Sequence, residues 1–157
     1  MPVFISNEQT EYFIDCKKLE KQITRILILL ECKNQEVSIL LTDDKRIRKL
    51  NNNYRGQNHA TDVLSFSQNE HGGEDEGQNH NLLGDVIIST ITAKKQSIEH
   101  GLSFDQEIVL LLIHGILHLL GFDHERSNKE ARHMKEKTRE LFSQVFPDKN
   151  PTESCNF

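Results

Sequence analysis

Residues 104–121 read Phe104-Asp105-Gln106-Glu107-Ile108-Val109-Leu110-Leu111-Leu112-Ile113-His114-Gly115-Ile116-Leu117-His118-Leu119-Leu120-Gly121. After Glu107 the run is apolar almost all the way round a helical wheel, which predicts a long helix over Phe104–Leu120 at the centre of a domain. Gly121 is the residue type that ends such a helix. Two histidines break the run, so it falls short of the ~18 uninterrupted apolar residues of a membrane span.

Working outward, Ile91–Glu99 predicts a helix before this one, and about Ser127 to Val145 predicts a charged, amphipathic helix after it. Upstream, Val3–Ser6 reads as an edge strand. Ile14, Leu19, Ile23, Ile26, Leu27 and Leu30 recur at helical spacing through about residue 32. Glu36–Thr42 (EVSILLT) is short, apolar and β-branched, the signature of a buried strand. Thr42-Asp43-Asp44 offers N-cap oxygens to a helix running through Leu50. Thr61–Phe66 and Leu83–Ser89 predict two more strands. Between them Ser67–Asn81 is built of Gly, Asn, Gln, Glu and His, too polar to order itself by burial, and is expected to be mobile. Its histidines, His71 and His80, read as solvated loop residues. The expected fold is α+β, a single domain over residues 1–147, with a mixed sheet of about four strands packed with about five helices. Residues 148–157 are expected to form a flexible C-terminal tail.

With 157 residues, 36% of them hydrophobic, the chain has enough apolar mass for one core and too little for two. The opening Met-Pro-Val-Phe-Ile-Ser-Asn-Glu lacks the features of a secretory signal, so a cytoplasmic location without membrane contact is expected. Cys16, Cys32 and Cys155 are odd in number and form no C-x-x-C pair, which argues against a disulfide framework or a thiolate metal site. A formal net charge of -5 argues against sequence-blind adhesion to nucleic acid. Any such contact must be local, through Lys45, Arg46, Arg48, Lys49 and Arg55 or through Lys94 and Lys95. Taken singly, most of these read as a solvated helix face.

Chemistry concentrates at His114, His118 and His124. Residues four apart on a helix share a face with Cβ atoms ~5–6 Å apart, so the first two imidazoles can converge on one ion. A left-handed cap at Gly121 would turn the chain back and bring His124 toward the same ion. Three protein ligands leave the fourth position of a zinc tetrahedron for water, the arrangement of catalytic sites. A lone His on an apolar helix is more often a core residue satisfied by one hydrogen bond, but three would each need a separate partner. Zinc is the default ion for this set, with another transition metal compatible. The spacing also reproduces the H-E-x-x-H-x-x-G-x-x-H pattern of metzincin proteases except that Gly115 replaces the Glu, the general base of those enzymes. A metallopeptidase is therefore the weaker reading.

Three segments taken together resemble the YbeY family of bacterial endoribonucleases, or rRNA maturation factors. HGILHLLGFDH at 114–124 matches the signature H-G-x-L-H-L-x-G-Y-D-H, with Phe122 for Tyr. Tyr54-Arg55-Gly56-Gln57-Asn58-His59-Ala60-Thr61-Asp62-Val63-Leu64-Ser65-Phe66-Ser67 matches Y-R-G-x-x-x-x-T-D-V-L-S-F-P, with Ser67 for Pro. Leu83-Gly84-Asp85-Val86-Ile87-Ile88-Ser89 matches L-G-D-I-V-I-S.

The resemblance implies a zinc-dependent, single-strand-preferring endoribonuclease in rRNA maturation, notably at the 16S rRNA 3′ end, and in ribosome quality control. It implies ribosomal RNA, small ribosomal subunit proteins and a ribosome-associated GTPase as partners, and His114, His118 and His124 as metal ligands. It also implies that Arg55 binds the scissile phosphate; by itself Arg55 would read as a surface ion pair, with Asp62 for example. Asp123 is expected either to orient a ligating imidazole or to cap the turn after Gly121. Asp85 and Thr61 are expected to shape the cleft or to make strand-end hydrogen bonds. A non-catalytic assembly factor with a structural metal is the remaining alternative.

Overall fold

The computed structural model describes residues 3–67, 82–122 and 127–149. Of the expected Ser67–Asn81 loop only Ser67 falls among them. The rest of that loop, with His71 and His80, and the chain from residue 150 onward lie outside the described residues.

A continuous apolar strand needs partners on both edges and cover on both faces. Glu36–Thr42 (β2) has both edges paired, in parallel with Val3–Asn7 (β1) on one side and Leu82–Ser89 (β4) on the other. Val63–Ser67 (β3) pairs antiparallel with β4, which gives a four-stranded mixed sheet of order β1-β2-β4-β3. Among the described residues five α-helices pack with it: α1 (Cys16–Leu29), α2 (Asp44–Arg55), α3 (Thr90–His100), α4 (Phe104–Leu119) and α5 (Asn128–Val145). This is the single α+β domain that the patterning predicts.

Helix starts follow from local chemistry. Asp15, Asp43, Ser89, Ser103 and Ser127 each sit in extended backbone and accept a first-turn N–H on the side chain. At α4 the cap is reciprocal, because the Gln106 side chain also accepts from Ser103 N at 2.9 Å. Most boundaries shift by a residue or two, the first helix ends at Leu29 where it was expected to run to about residue 32, and two further differences have a clear cause. The second helix continues beyond Leu50 to Arg55 through three asparagines, weak helix formers. Tertiary bonding holds it there: Asn51 is buried and donates to His59 O at 2.9 Å, and Gly56 closes the helix at φ 68°. The third strand starts at Val63 and not Thr61, because the Asp62 carboxylate takes the Val63 N–H at 2.8 Å.

The two faces of the sheet are covered unequally. Val37, Ile39, Leu41, Val86 and Ile88 point into the main core, against α1, α4 and α5. Leu64 and Ile87 point the other way and meet Ile47 of α2, with Leu40, Leu50 and Phe66 at the margin. Among the described residues α2 is the helix on that second face, and it leaves the β1 end open.

α4 approaches the sheet closely at Gly115. A Cβ there would lie 2.6 Å from Val86 Cγ1 and 3.0 Å from Ser65 Oγ. From Glu107 to Leu119 every residue is buried except His114 and His118, which are half-buried.

At the α3–α4 turn His100 Nδ1 meets Glu107 Oε1 at 2.5 Å, while Glu107 Oε2 is buried without a hydrogen-bond partner among the described residues. Burial pushes the Glu107 carboxyl above the usual carboxylate range, opposed in part by His100. The folded state then retains a proton that the unfolded carboxyl releases above its ordinary value of 4.5. Stability from this group is complete below that pH and is lost as pH rises through the raised value.

Two outcomes follow. Gly115→Val forces the helix off the sheet and lowers stability by about 2 kcal/mol or more, read as a loss of several degrees in thermal melting. A variant that melts like the parent would contradict the close approach. Glu107→Gln removes the titrating buried carboxyl. The melting temperature of the variant minus that of the parent should therefore rise as pH increases from about 4.5 toward neutrality. A difference that is constant over this range would contradict the burial effect.

Candidate functional site

α4 places His114 and His118 one turn apart, with ring centroids 4.8 Å apart and planes at 61°. They are the accessible positions on the buried stretch of that helix, so the wall of the core opens where two nitrogen donors converge. Just beyond, Gly121 N donates to His118 O and Phe122 N donates to Leu117 O, both at 3.0 Å, with Gly121 at φ 95°. These paired bonds are the left-handed closure expected of Gly121, and they turn the chain away within one turn of His118. Phe122 then packs against His133 of α5, with centroids 5.1 Å apart.

Asp123 and His124 lie outside the described residues. No group of three or more His, Cys, Asp or Glu side chains suited to a metal gathers among the described residues. His114 and His118 nonetheless fit two positions of a transition-metal site, being imidazoles on adjacent turns of one face at an accessible point.

Arg55 ends α2 and reaches over the edge of the sheet. Its Nη2 donates to Ser65 O at 2.6 Å, and its guanidinium carbon lies 5.1 Å from the Phe66 ring centroid. Tyr54 meets the same ring edge-on, with centroids 5.5 Å apart. Ser65 is the residue that sequence reasoning missed. Its carbonyl holds Arg55 on the edge of β3, while its hydroxyl donates to Gly115 O at 3.0 Å. One serine thus joins the arginine to the helical turn that carries His114. The alternation Val63-Leu64-Ser65-Phe66-Ser67 was the available signal, since it puts a small polar side chain on the core face.

The other candidates separate from this assembly. Asp85 pairs in register with Phe66 and shares its face of the sheet, opposite the face where Val86 meets α4. Its carboxylate is exposed, yet partial desolvation raises its pKa above the usual carboxylate range. Thr61 Oγ1 donates to Asp62 Oδ1 at 3.3 Å, in keeping with the strand-end alternative. Of the basic run, Lys45, Arg46, Arg48 and Lys49 lie along α2. Arg46 pairs with Glu8 and Arg48 donates to Asn58 Oδ1 at 3.0 Å. Lys94 lies 5.6 Å from the Phe104 ring centroid and 5.9 Å from that of Tyr12.

The position where a metalloprotease motif carries its glutamate is Gly115. A Cβ at this position would meet Val86 Cγ1 at only 2.6 Å, so the helix has no room there for a longer side chain. The site therefore lacks both the glutamate and the space for one.

The family model described as "Endoribonuclease YbeY" matches residues 4–145. A protein from Syntrophotalea carbinolica named Endoribonuclease YbeY is 44% identical over 144 residues, 91% of this chain and 95% of that protein. One of the same name from Persephonella marina is 44% identical over 143 residues, 91% of this chain and 92% of that protein. The solution structure of the Thermotoga maritima protein TM1509 superposes with a TM-score of 0.63 at 27% identity, covering 93% of this chain and 90% of that one. The match runs through all nine described helices and strands from β1 to α5, and the chain belongs to the YbeY endoribonuclease family.

Proposed function

We propose that this chain is a zinc-dependent, single-strand-preferring endoribonuclease of the cytoplasm. In this reading it acts in rRNA maturation at the 16S rRNA 3′ end and in ribosome quality control, with small-subunit proteins and a ribosome-associated GTPase as partners. The observation that carries the reading is the Ser65 bridge. It ties a phosphate-binding type of side chain, Arg55, to the turn that presents His114 beside His118. Membership of a family named for endoribonuclease activity gives the reaction class.

In this reading His114, His118 and His124 hold the ion through neutral imidazoles. Bound zinc supplies Lewis acidity toward a phosphoryl oxygen and lowers the pKa of water. Arg55 does the work of orientation. A guanidinium carries five N–H donors in a rigid fork that fits two oxygens of one phosphate. Anchoring on Ser65 O and stacking on Phe66 fix the plane of that fork before substrate arrives, so less conformational freedom is lost on binding. Gly115, facing Val86 and Ser65 with no side chain, lets the helix that carries the two histidines lie close against the sheet.

Arg55→Lys keeps the charge and loses the fork. The variant should retain its full complement of metal, measured by elemental analysis, while cleavage of single-stranded RNA falls about a hundredfold or more. Cleavage at the parent rate would remove Arg55 from the site.

A further inference from the structure

α2 concentrates positive charge in a chain whose formal net charge is -5. It carries Lys45, Arg46, Arg48, Lys49 and Arg55 against one acidic residue, Asp44, whose carboxylate accepts from the Ser89 and Thr92 hydroxyls. Lys45, Arg48, Asn52 and Arg55 follow one another at intervals of three and four residues and so line one face of the helix, with Lys49 one turn beyond Lys45 at its margin. All of these side chains are exposed. Arg46 lies two residues from Arg48, on the other side of the helix, and pairs with Glu8. Lys45, Arg48 and Lys49 have no ion pair among the described residues. Taken singly these residues read as a solvated face; taken together they form an unneutralised stripe that ends on Arg55.

We propose that this stripe is a backbone track: the RNA strand whose phosphate lies on Arg55 continues along α2, with Arg48, Lys49 and Lys45 on phosphates to one side of the cut. The inference rests on the RNA reading above and adds the path of the strand to it. Continuity with Arg55 favours RNA over an acidic protein segment as the occupant. A helix rises about 1.5 Å per residue, so Arg48 stands about 10 Å and Lys45 about 15 Å from Arg55 along the axis, lengths that a single strand covers in a few nucleotides. The negative charge of the rest of the chain repels a polyanion, which confines the strand to this face.

Two side chains on the stripe are set for such contacts. Arg48 is held as Arg55 is, by one bond: its Nε donates to Asn58 Oδ1 at 3.0 Å, while its Nη groups have no hydrogen-bond partner among the described residues. The fork is thus oriented before a phosphate arrives, and less conformational freedom is lost on binding. Asn52 stands between the two arginines. Unlike Asn51, whose buried amide holds the helix to His59 O, it is exposed and its side chain makes no hydrogen bond among the described residues. An asparagine there costs the helix stability relative to alanine and returns nothing to the fold. On the track its amide has work, as a donor and acceptor for the phosphate and ribose oxygens that pass between Arg48 and Arg55.

The test is fluorescence anisotropy of the full-length, metal-loaded protein with labelled decauridylate over a series of NaCl concentrations. The logarithm of the binding constant falls linearly with the logarithm of salt, by about 0.7 for each phosphate contact to a single strand. The triple variant Lys45→Gln, Arg48→Gln, Lys49→Gln should flatten that slope by about 2 and weaken binding about tenfold or more, with unchanged circular dichroism. Arg46→Gln removes a charge from the same helix but from outside the stripe, and should keep the slope of the parent. Asn52→Ala should bind more weakly while melting no lower than the parent. A triple variant with the slope and affinity of the parent, when the parent binds RNA and Arg55→Lys cleaves it slowly, would overturn the track and leave the RNA reading standing. Such a result would assign the stripe to an acidic protein partner. Equal losses per charge in Arg46→Gln and in the triple variant would also overturn it, because total charge and not the stripe would then govern binding. Failure of the parent protein to bind the RNA would overturn both.

Discussion

The contact on which the site depends is the close approach of α4 to β3 and β4 at Gly115. With no side chain there, the helix backbone comes near enough for Ser65 Oγ to donate to its carbonyl at 3.0 Å. This contact fixes the depth and the rotation of α4. The apolar residues around the rest of its circumference then enter the main core, and His114 and His118 are left at the opening. Any larger residue at 115 would change the height of the histidines relative to the edge of the sheet.

Edge position gives β3 its second role. A central strand spends both rows of backbone groups on neighbours, whereas among the described strands β3 pairs only with β4, and Ser65 O takes the Arg55 guanidinium at 2.6 Å. The arginine therefore belongs by sequence to the helix on one face and the histidines to the helix on the other, and a single edge residue joins them. The reach of Arg55 depends in turn on α2 continuing to the sheet edge, which the buried Asn51 bond to His59 O secures.

Much of this was legible in sequence because its causes are local. Thr42-Asp43-Asp44 marks the start of the second helix, which caps on Asp43. EVSILLT reads as a buried strand because β2 is central, and the HGILHLLG segment carries both the helical period and its terminator. What was not legible depends on partners far apart in the chain. The extension of α2 through Asn51-Asn52-Asn53 runs against propensity and is held by a bond eight residues away. The bridging role of Ser65 requires Gly115, fifty residues later. Asp85 was expected to shape the cleft or to make strand-end hydrogen bonds, and Phe66 was seen only as part of a motif. Strand register, which no single-segment pattern contains, places them in one row with Phe4 and Ser38, on the face away from the histidines.

The central claim is that His114 and His118 are metal ligands in an RNA-cleaving site, and bound metal tests it most directly. Elemental analysis of the purified protein and of His118→Ala, with single-stranded RNA cleavage assayed on the same samples, should find one equivalent of zinc and measurable cleavage in the parent, both lost in the variant. A folded parent protein without bound metal, or a His118→Ala variant that keeps its zinc and its cleavage, would contradict the account.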